Sequence, residues 1–189
     1  MMRIITGKAK GIRLKTLEGD ATRPTSERVK EAVFSMLMGD IEGREVLDLF
    51  SGSGQMALEA LSRGANHAVM VDKSPQAVRI ITENAEKTRL ISDCEIKRDE
   101  YLSFIRKNKG RKFDLVFLDP PYAARLYSPA LTAMLECELL KPTTLIICES
   151  GEDELFGDDT ALADKFETVK QSKYSKTFIT IISPNEEQK

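Results

Sequence analysis

An α/β fold is predicted for this chain, with a doubly wound, mostly parallel sheet, helices on both faces and an antiparallel hairpin at the C-terminal end. Three observations predict it. From residue 45 onward, short apolar runs are separated by amphipathic segments of helical length. The first run, Val46-Leu47-Asp48-Leu49-Phe50, breaks into Ser51-Gly52-Ser53-Gly54 before a helical pattern resumes, which reads as a buried strand, a tight turn and a helix N-terminus. The last two runs, residues 166–173 and 177–183, are separated only by a short turn, so a hairpin closes the sheet.

Taken in order, residues 3–16 read as two short strands around a turn from Gly7 to Gly11. In the second, Ile12 and Leu14 alternate with Arg13 and Lys15, giving one apolar and one cationic face. Pro24 then stops the extended segment, and Thr25 is expected to cap a helix with Glu27 in its first turn, where the helix dipole favours an acid. Val29, Val33, Met36 and Leu37 recur at helical spacing and should face inward, leaving Arg28 and Lys30 towards solvent. Residues 40–44 form a linker to a strand at 45–50.

The alternation then runs helix 55–63, strand 67–72, helix 75–90 with proline at its tolerated first position, strand 95–99, helix 101–108, strand 113–119, helix 129–140 and strand 143–149. Residues 1–40 are accordingly a small N-terminal hairpin-plus-helix extension, 41–184 the main domain, and 185–189 a polar tail.

Composition narrows the chemistry. The cysteines, Cys94, Cys137 and Cys148, are odd in number and far apart, which suggests neither a disulfide framework nor a zinc site, so no metal is expected. His67 is the only histidine, which leaves little for a Ser-His-Asp triad or a multi-histidine metal centre. No apolar run approaches the roughly 20 residues that span a bilayer, and the basic start lacks a signal-peptide core, so a cytoplasmic protein without a membrane partner is expected.

Charge is unevenly distributed. Residues 1–30 hold eight basic residues against three acids, a net of +5, so the remainder carries −7 of the overall −2. A basic arm on an acidic body suits contact with a polyanion, because phosphates are met by clustered Lys and Arg.

Asp48, Asp72 and Asp99 fall at or near strand ends, on the edge where doubly wound sheets bind ligands. Asp72 follows Gly54 by 18 residues, a spacing suited to holding ribose hydroxyls. Residues 52–57 also fit the dinucleotide pattern G-x-G-x-x-A, so a nicotinamide-dependent oxidoreductase remains open at this point. The fourth strand of the main domain runs into Asp119-Pro120-Pro121-Tyr122. Proline fixes φ and has no amide donor, so this is a stiff rim offering acceptors. Asp119 and the Pro120 carbonyl can receive the hydrogens of a nucleobase amine, and Tyr122 can stack on its ring.

Asp48-Leu-Phe-Ser-Gly-Ser-Gly54 together with Asp119-Pro-Pro-Tyr122 resembles the Rossmann-like class I S-adenosylmethionine-dependent amino-methyltransferases. Arg3-Ile-Ile-Thr-Gly-Lys8, Thr22-Arg-Pro-Thr-Ser-Glu-Arg-Val-Lys-Glu-Ala32 and Leu58-Glu-Ala-Leu-Ser-Arg-Gly64 are similar, more narrowly, to the RsmD type, bacterial 16S ribosomal RNA guanine-N2 methyltransferases. The resemblance implies that Asp48, Gly52, Ser53 and Gly54 hold the methionine end of S-adenosylmethionine, with Phe50 and Ser51 also lining the cofactor pocket. It places Asp72, with Lys73, at the ribose, and Asp99, with Glu100, beside adenine. Arg98-Asp99-Glu100 departs here from the family's usual Gly-Asp-Ala.

The product would be S-adenosylhomocysteine and the catalytic rim Asp119, Pro120, Pro121 and Tyr122. Arg3, Lys8, Lys10, Arg13, Lys15, Arg23, Thr25 and Arg28 would follow the RNA backbone. The implied partner is 16S rRNA within a small ribosomal subunit or assembly particle, met by a monomer. An adenine-N6 methyltransferase acting on DNA or RNA would use the same rim equally well.

Overall fold

The computed structural model describes residues 2–17, 27–120, 126–151, 155–157, 159–175 and 177–185. Arg23, Thr25, Pro121, Tyr122 and most of the polar tail therefore lie outside the described residues.

The main sheet follows the alternation of the sequence. Its strands are β1 (Glu45–Asp48), β2 (His67–Asp72), β3 (Cys94–Arg98), β4 (Phe113–Leu118), β5 (Leu140–Ser150), β6 (Phe166–Tyr174) and β7 (Thr177–Pro184). They lie in the order β3-β2-β1-β4-β5-β7-β6. The first five pair in parallel, and β7 pairs antiparallel with both β5 and β6, as the closing hairpin requires.

The helices are α1 (Glu27–Met36), α2 (Gln55–Ser62), α3 (Pro75–Lys87), α4 (Tyr101–Lys107), α5 (Tyr127–Glu136) and the short α6 (Thr160–Ala163). Side chains fasten several of their starts. The Ser74 hydroxyl accepts from the Ala77 amide at 3.3 Å with Pro75 next in line, and the Glu100 carboxylate accepts from Leu102 at 2.9 Å and Ser103 at 3.2 Å.

Period-2 alternation divides the core between the two faces of the sheet. Val46, Met70, Leu115, Phe117, Ile147 and Ile179 point to one side, where α1, α2 and α3 cover them. Leu47, Val71, Val116, Leu118, Cys148 and Ile182 point to the other, under α4, α5 and α6.

Four expectations need correction. Helix 129–140 lies at Tyr127–Glu136, and β5 begins at Leu140, because Glu138 takes a left-handed φ of 57° that ends the helix and turns the chain into the sheet. The small α6, capped by Asp159 on the Leu162 amide at 3.1 Å, was not expected. The two N-terminal strands reduce to one antiparallel bridge between Arg3 and Arg13, although Ile4 and Leu14 still bond across it to Ile12 and Met2.

Lys30, expected in solvent, is completely buried. Its ammonium lies 3.4 Å from the equally buried Glu59 of α2 and donates to the Arg3 carbonyl at 2.5 Å. A lysine at a core position needs such partners, because an unpaired buried charge is costly. Burial pushes its pKa down, against the neighbouring carboxylate.

Candidate active site

The strand order reverses between β1 and β4, which are adjacent and parallel, and such a switch point leaves a crevice outside the carboxyl ends of the strands. The glycine turn follows β1, and Asp119-Pro120 follows β4. Two motifs separated by more than sixty residues in sequence are thus neighbours.

Ser51 anchors the turn. Its hydroxyl donates to the Asp48 carbonyl at 2.6 Å and accepts from the Val71 amide at 3.0 Å, so β1 and β2 are tied at the crevice. Gly54 precedes α2 with φ 77°, and a Cβ there would lie 3.1 Å from the Met70 sulfur and 3.3 Å from Ile81, so only glycine fits without displacement. Asp72, at the end of β2, accepts from the Gly52 amide at 2.9 Å through one carboxylate oxygen and from the Ser74 amide at 2.8 Å through the other. Each oxygen keeps a further lone pair for a ligand hydroxyl. Lys73 is exposed beside it.

Asp48 is buried and accepts from the Ala57 amide of α2 at 3.4 Å. Burial, followed by the charge of Asp72, pushes its carboxyl up to about 7, and the Ala57 and Ser51 hydrogen bonds offset part of that rise. A buried acid at a helix N-terminus, with bare amides beside it, fits the ammonium and carboxylate of an amino-acid moiety.

Asp99 follows β3 and accepts from the Glu100 amide at 2.9 Å and the Lys107 ammonium at 2.8 Å. Lys107 holds its carboxyl below the usual range. Glu100 is spent on capping α4, and Arg98, the departure from the family pattern, is exposed at the strand end. The Phe50 ring packs on Tyr101 with centroids 5.2 Å apart, which places an aromatic pair between the glycine turn and Asp99.

On the arm side of the sheet, a small, mostly apolar cleft with room for about one water lies at the ends of β4 and β5, lined by Val33, Met56, Phe117, Asp119, Glu149 and Ile179 among others. Pro120 is buried next to it. Asp119 contributes to raising the buried Cys148 thiol, after the larger effect of burial.

The basic residues of the arm do not behave alike. Arg3 pairs with Glu27 at 3.0 Å, Lys8 with Asp93 at 2.8 Å, and Lys15 with Glu83. Lys10, Arg13 and Arg28 are exposed, with no ion pair to another described residue.

Three residues that the sequence reading missed hold the arm in place. The Glu59 carboxylate accepts from the Ile5 and Thr6 amides at 2.8 and 3.0 Å and from Arg63 at 2.8 Å. The Ser62 hydroxyl donates to Thr6 and accepts from Ala9, and a Cβ on Gly7 would meet the Ser62 carbonyl at 1.7 Å. Asn84 of α3 exchanges hydrogen bonds with both backbone groups of Lys15 and donates to the Ser53 carbonyl at 2.9 Å, so one side chain ties the arm to the glycine turn. The signal in the sequence was a polar residue on an otherwise apolar helix face, as in Ala77, Ile81, Asn84 and Ala85.

Residues 2–183 match the family model described as conserved hypothetical protein 95. The ribosomal RNA small subunit methyltransferase D of Haemophilus influenzae is 35% identical over 155 residues, covering 81% of this chain and 80% of that protein. Its namesake in Escherichia coli K12 is 31% identical over 149 residues, covering 79% and 74%. A hypothetical protein of Thermus thermophilus superposes with a TM-score of 0.80 at 28% identity, over 97% of this chain and 99% of that one. With its switch-point crevice, glycine turn and Asp119 rim, the chain belongs to the conserved hypothetical protein 95 family, the RsmD type of S-adenosylmethionine-dependent methyltransferase.

Proposed function

We propose that this protein methylates the exocyclic N2 amine of a guanine in small-subunit ribosomal RNA, acting as a monomer on the small ribosomal subunit or an assembly particle. The observation that carries this reading is the juxtaposition of Asp119-Pro120 with the Asp48 glycine turn across the switch point. The two RsmD-type relatives are named as small-subunit ribosomal RNA methyltransferases, which supports the choice of RNA. Residues 1–40 serve as the RNA-binding extension of a methyltransferase domain at 41–184.

S-adenosylmethionine, when bound, supplies a methyl group already activated by its sulfonium, so the protein's task is placement. The residues fit that cofactor: Asp48 and the amides after Gly54 take the amino-acid end, Asp72 the ribose hydroxyls, and Phe50 with Asp99 the neighbourhood of adenine. The Asp119 carboxylate and the Pro120 carbonyl accept the two hydrogens of the guanine amine and turn its lone pair towards the methyl carbon. Methyl transfer to the amine would leave positive charge on its nitrogen, which the Asp119 carboxylate would stabilise before passing the surplus proton to solvent. Pro121 and Tyr122 follow directly in sequence, and the Tyr122 ring is the group suited to stacking on a base drawn out of its helix.

The test uses small ribosomal subunits from cells lacking this protein. Incubation with protein and cofactor should yield N2-methylguanosine on nucleoside digestion and mass spectrometry. Asp119→Ala should reduce transfer by roughly 100-fold or more while cofactor affinity, read by calorimetry, stays within a few fold. Loss of cofactor binding in that variant would place Asp119 in the cofactor pocket instead, and N6-methyladenosine in the digest would reassign the base.

A further inference from the structure

We propose that Glu149 is the residue that selects guanine over adenine in the Asp119 cleft. The proposal rests on the guanine reading above and extends it from chemistry to recognition. Leu118 pairs with Cys148 in parallel register, so Asp119 and Glu149 are the next residues outward on adjacent strand ends, about 4.8 Å apart across the sheet. Phe117 and Ile147 lie in the arm-side core, whereas Leu118 and Cys148 lie in the opposite one. Alternation therefore puts Asp119 and Glu149 together on the arm side, and both line the cleft there with Met56 and Phe117.

Glu149 is also well supported. Its backbone pairs with Ile179 of β7, and its carbonyl accepts the Tyr127 hydroxyl at the start of α5. The carboxylate is thus carried on a strand braced from two sides, which suits a group that must read a base edge.

The chemistry of the two purines decides what such a group would do. On guanine, two ring nitrogens flank the reacting N2 amine: N3, with a bare lone pair, and N1, on the Watson–Crick edge, which carries a hydrogen. On adenine, the atom beside the N6 amine is N1 with a bare lone pair. With Asp119 and Pro120 engaged on the amine, a second carboxylate at the same edge accepts the N1–H of guanine and opposes the N1 lone pair of adenine. Recognition then combines an attractive contact to the right base with a repulsive one to the wrong base.

2-Aminopurine separates recognition from reaction, because it keeps the N2 amine and lacks the N1 hydrogen. Small subunits are reconstituted with guanine or 2-aminopurine at the nucleotide that the wild-type protein methylates, and single-turnover transfer is followed by mass spectrometry. Wild-type protein should prefer guanine by roughly 10- to 100-fold, and Glu149→Gln should shrink that preference to within about threefold, mostly by slowing guanine. Cofactor affinity measured by calorimetry should be unchanged in the variant. A preference that survives in Glu149→Gln overturns the proposal, as does an equal loss on both bases or the lack of a preference in the wild type. Absence of N2-methylguanosine from wild-type reactions overturns instead the guanine reading beneath it.

Discussion

Asp48 places an ionisable group where the amino end of the cofactor is expected, and its surroundings make it respond to pH near neutrality. Its carboxyl titrates at about 7 in the folded protein and at ~3.9 in an unfolded chain. Between those values the native state keeps a proton that the unfolded state has lost, so this group's contribution to stability falls as pH rises and levels off above about 7. Asp48→Asn removes the titration. The melting temperature of the wild type should therefore decline relative to the variant from about pH 4 to about 7 and run parallel above, which thermal denaturation across that range will show. Cofactor binding should respond in the opposite sense. A cationic amino group favours the ionised acid, so affinity for S-adenosylmethionine should rise by up to about tenfold per pH unit as pH approaches 7 and then flatten. Calorimetry should find Asp48→Asn weaker and nearly flat over the same window.

At the level of elements, α2 is the part on which both halves of the site depend. Its N-terminus faces the glycine turn, and its other end carries Glu59 and Ser62, which bind the backbone of residues 5–9. Glu59→Ala would leave the buried Lys30 ammonium without its carboxylate and the Ile5 and Thr6 amides without acceptors. Breaking a buried pair in this way costs about 3 to 5 kcal/mol. Urea denaturation should register a loss of that order, and hydrogen exchange at Ile5 and Thr6 should accelerate more than exchange in the central strands. An arm that stays protected in Glu59→Ala would mean that its apolar contacts, Ile4 and Leu14 above all, suffice to dock it. Asn84 carries the coupling one step further, since it binds Lys15 and Ser53 at once.

Over the whole molecule, a net +5 in residues 1–30 sits on a body of −7. For the proposed RNA contact, ion pairing decides how much of that positive charge is available. Arg13 is exposed without an acidic partner among the described residues, whereas Lys8 is already matched by Asp93. Arg13→Ala should weaken binding to small-subunit RNA and lower the slope of log affinity against log salt by about 1. Lys8→Ala should change both by less, because Asp93 already neutralises it. Filter binding over a salt series distinguishes the two, and equal slopes in Arg13→Ala and the wild type would remove Arg13 from the RNA contact.

What the sequence determined by itself is what local physics controls. The run His67–Asp72 is strand within its expected bounds, Pro75 opens α3, and residues 51–54 form the turn, because periodicity, proline and glycine act over a few residues. Where local signals were ambiguous, the reading slipped: residues 130–148 are apolar enough for helix or strand, and the left-handed Glu138 drew the boundary. Charge was the least legible feature. Lys30 looked like a surface lysine because its partner, Glu59, lies 29 positions away on another helix. Asn84 and Glu149 likewise have no special local spacing. The tertiary structure alone decided that Asn84 ties the arm to the turn and that Glu149 shares a cleft with Asp119, since both depend on which strands and helices become neighbours once the core is buried.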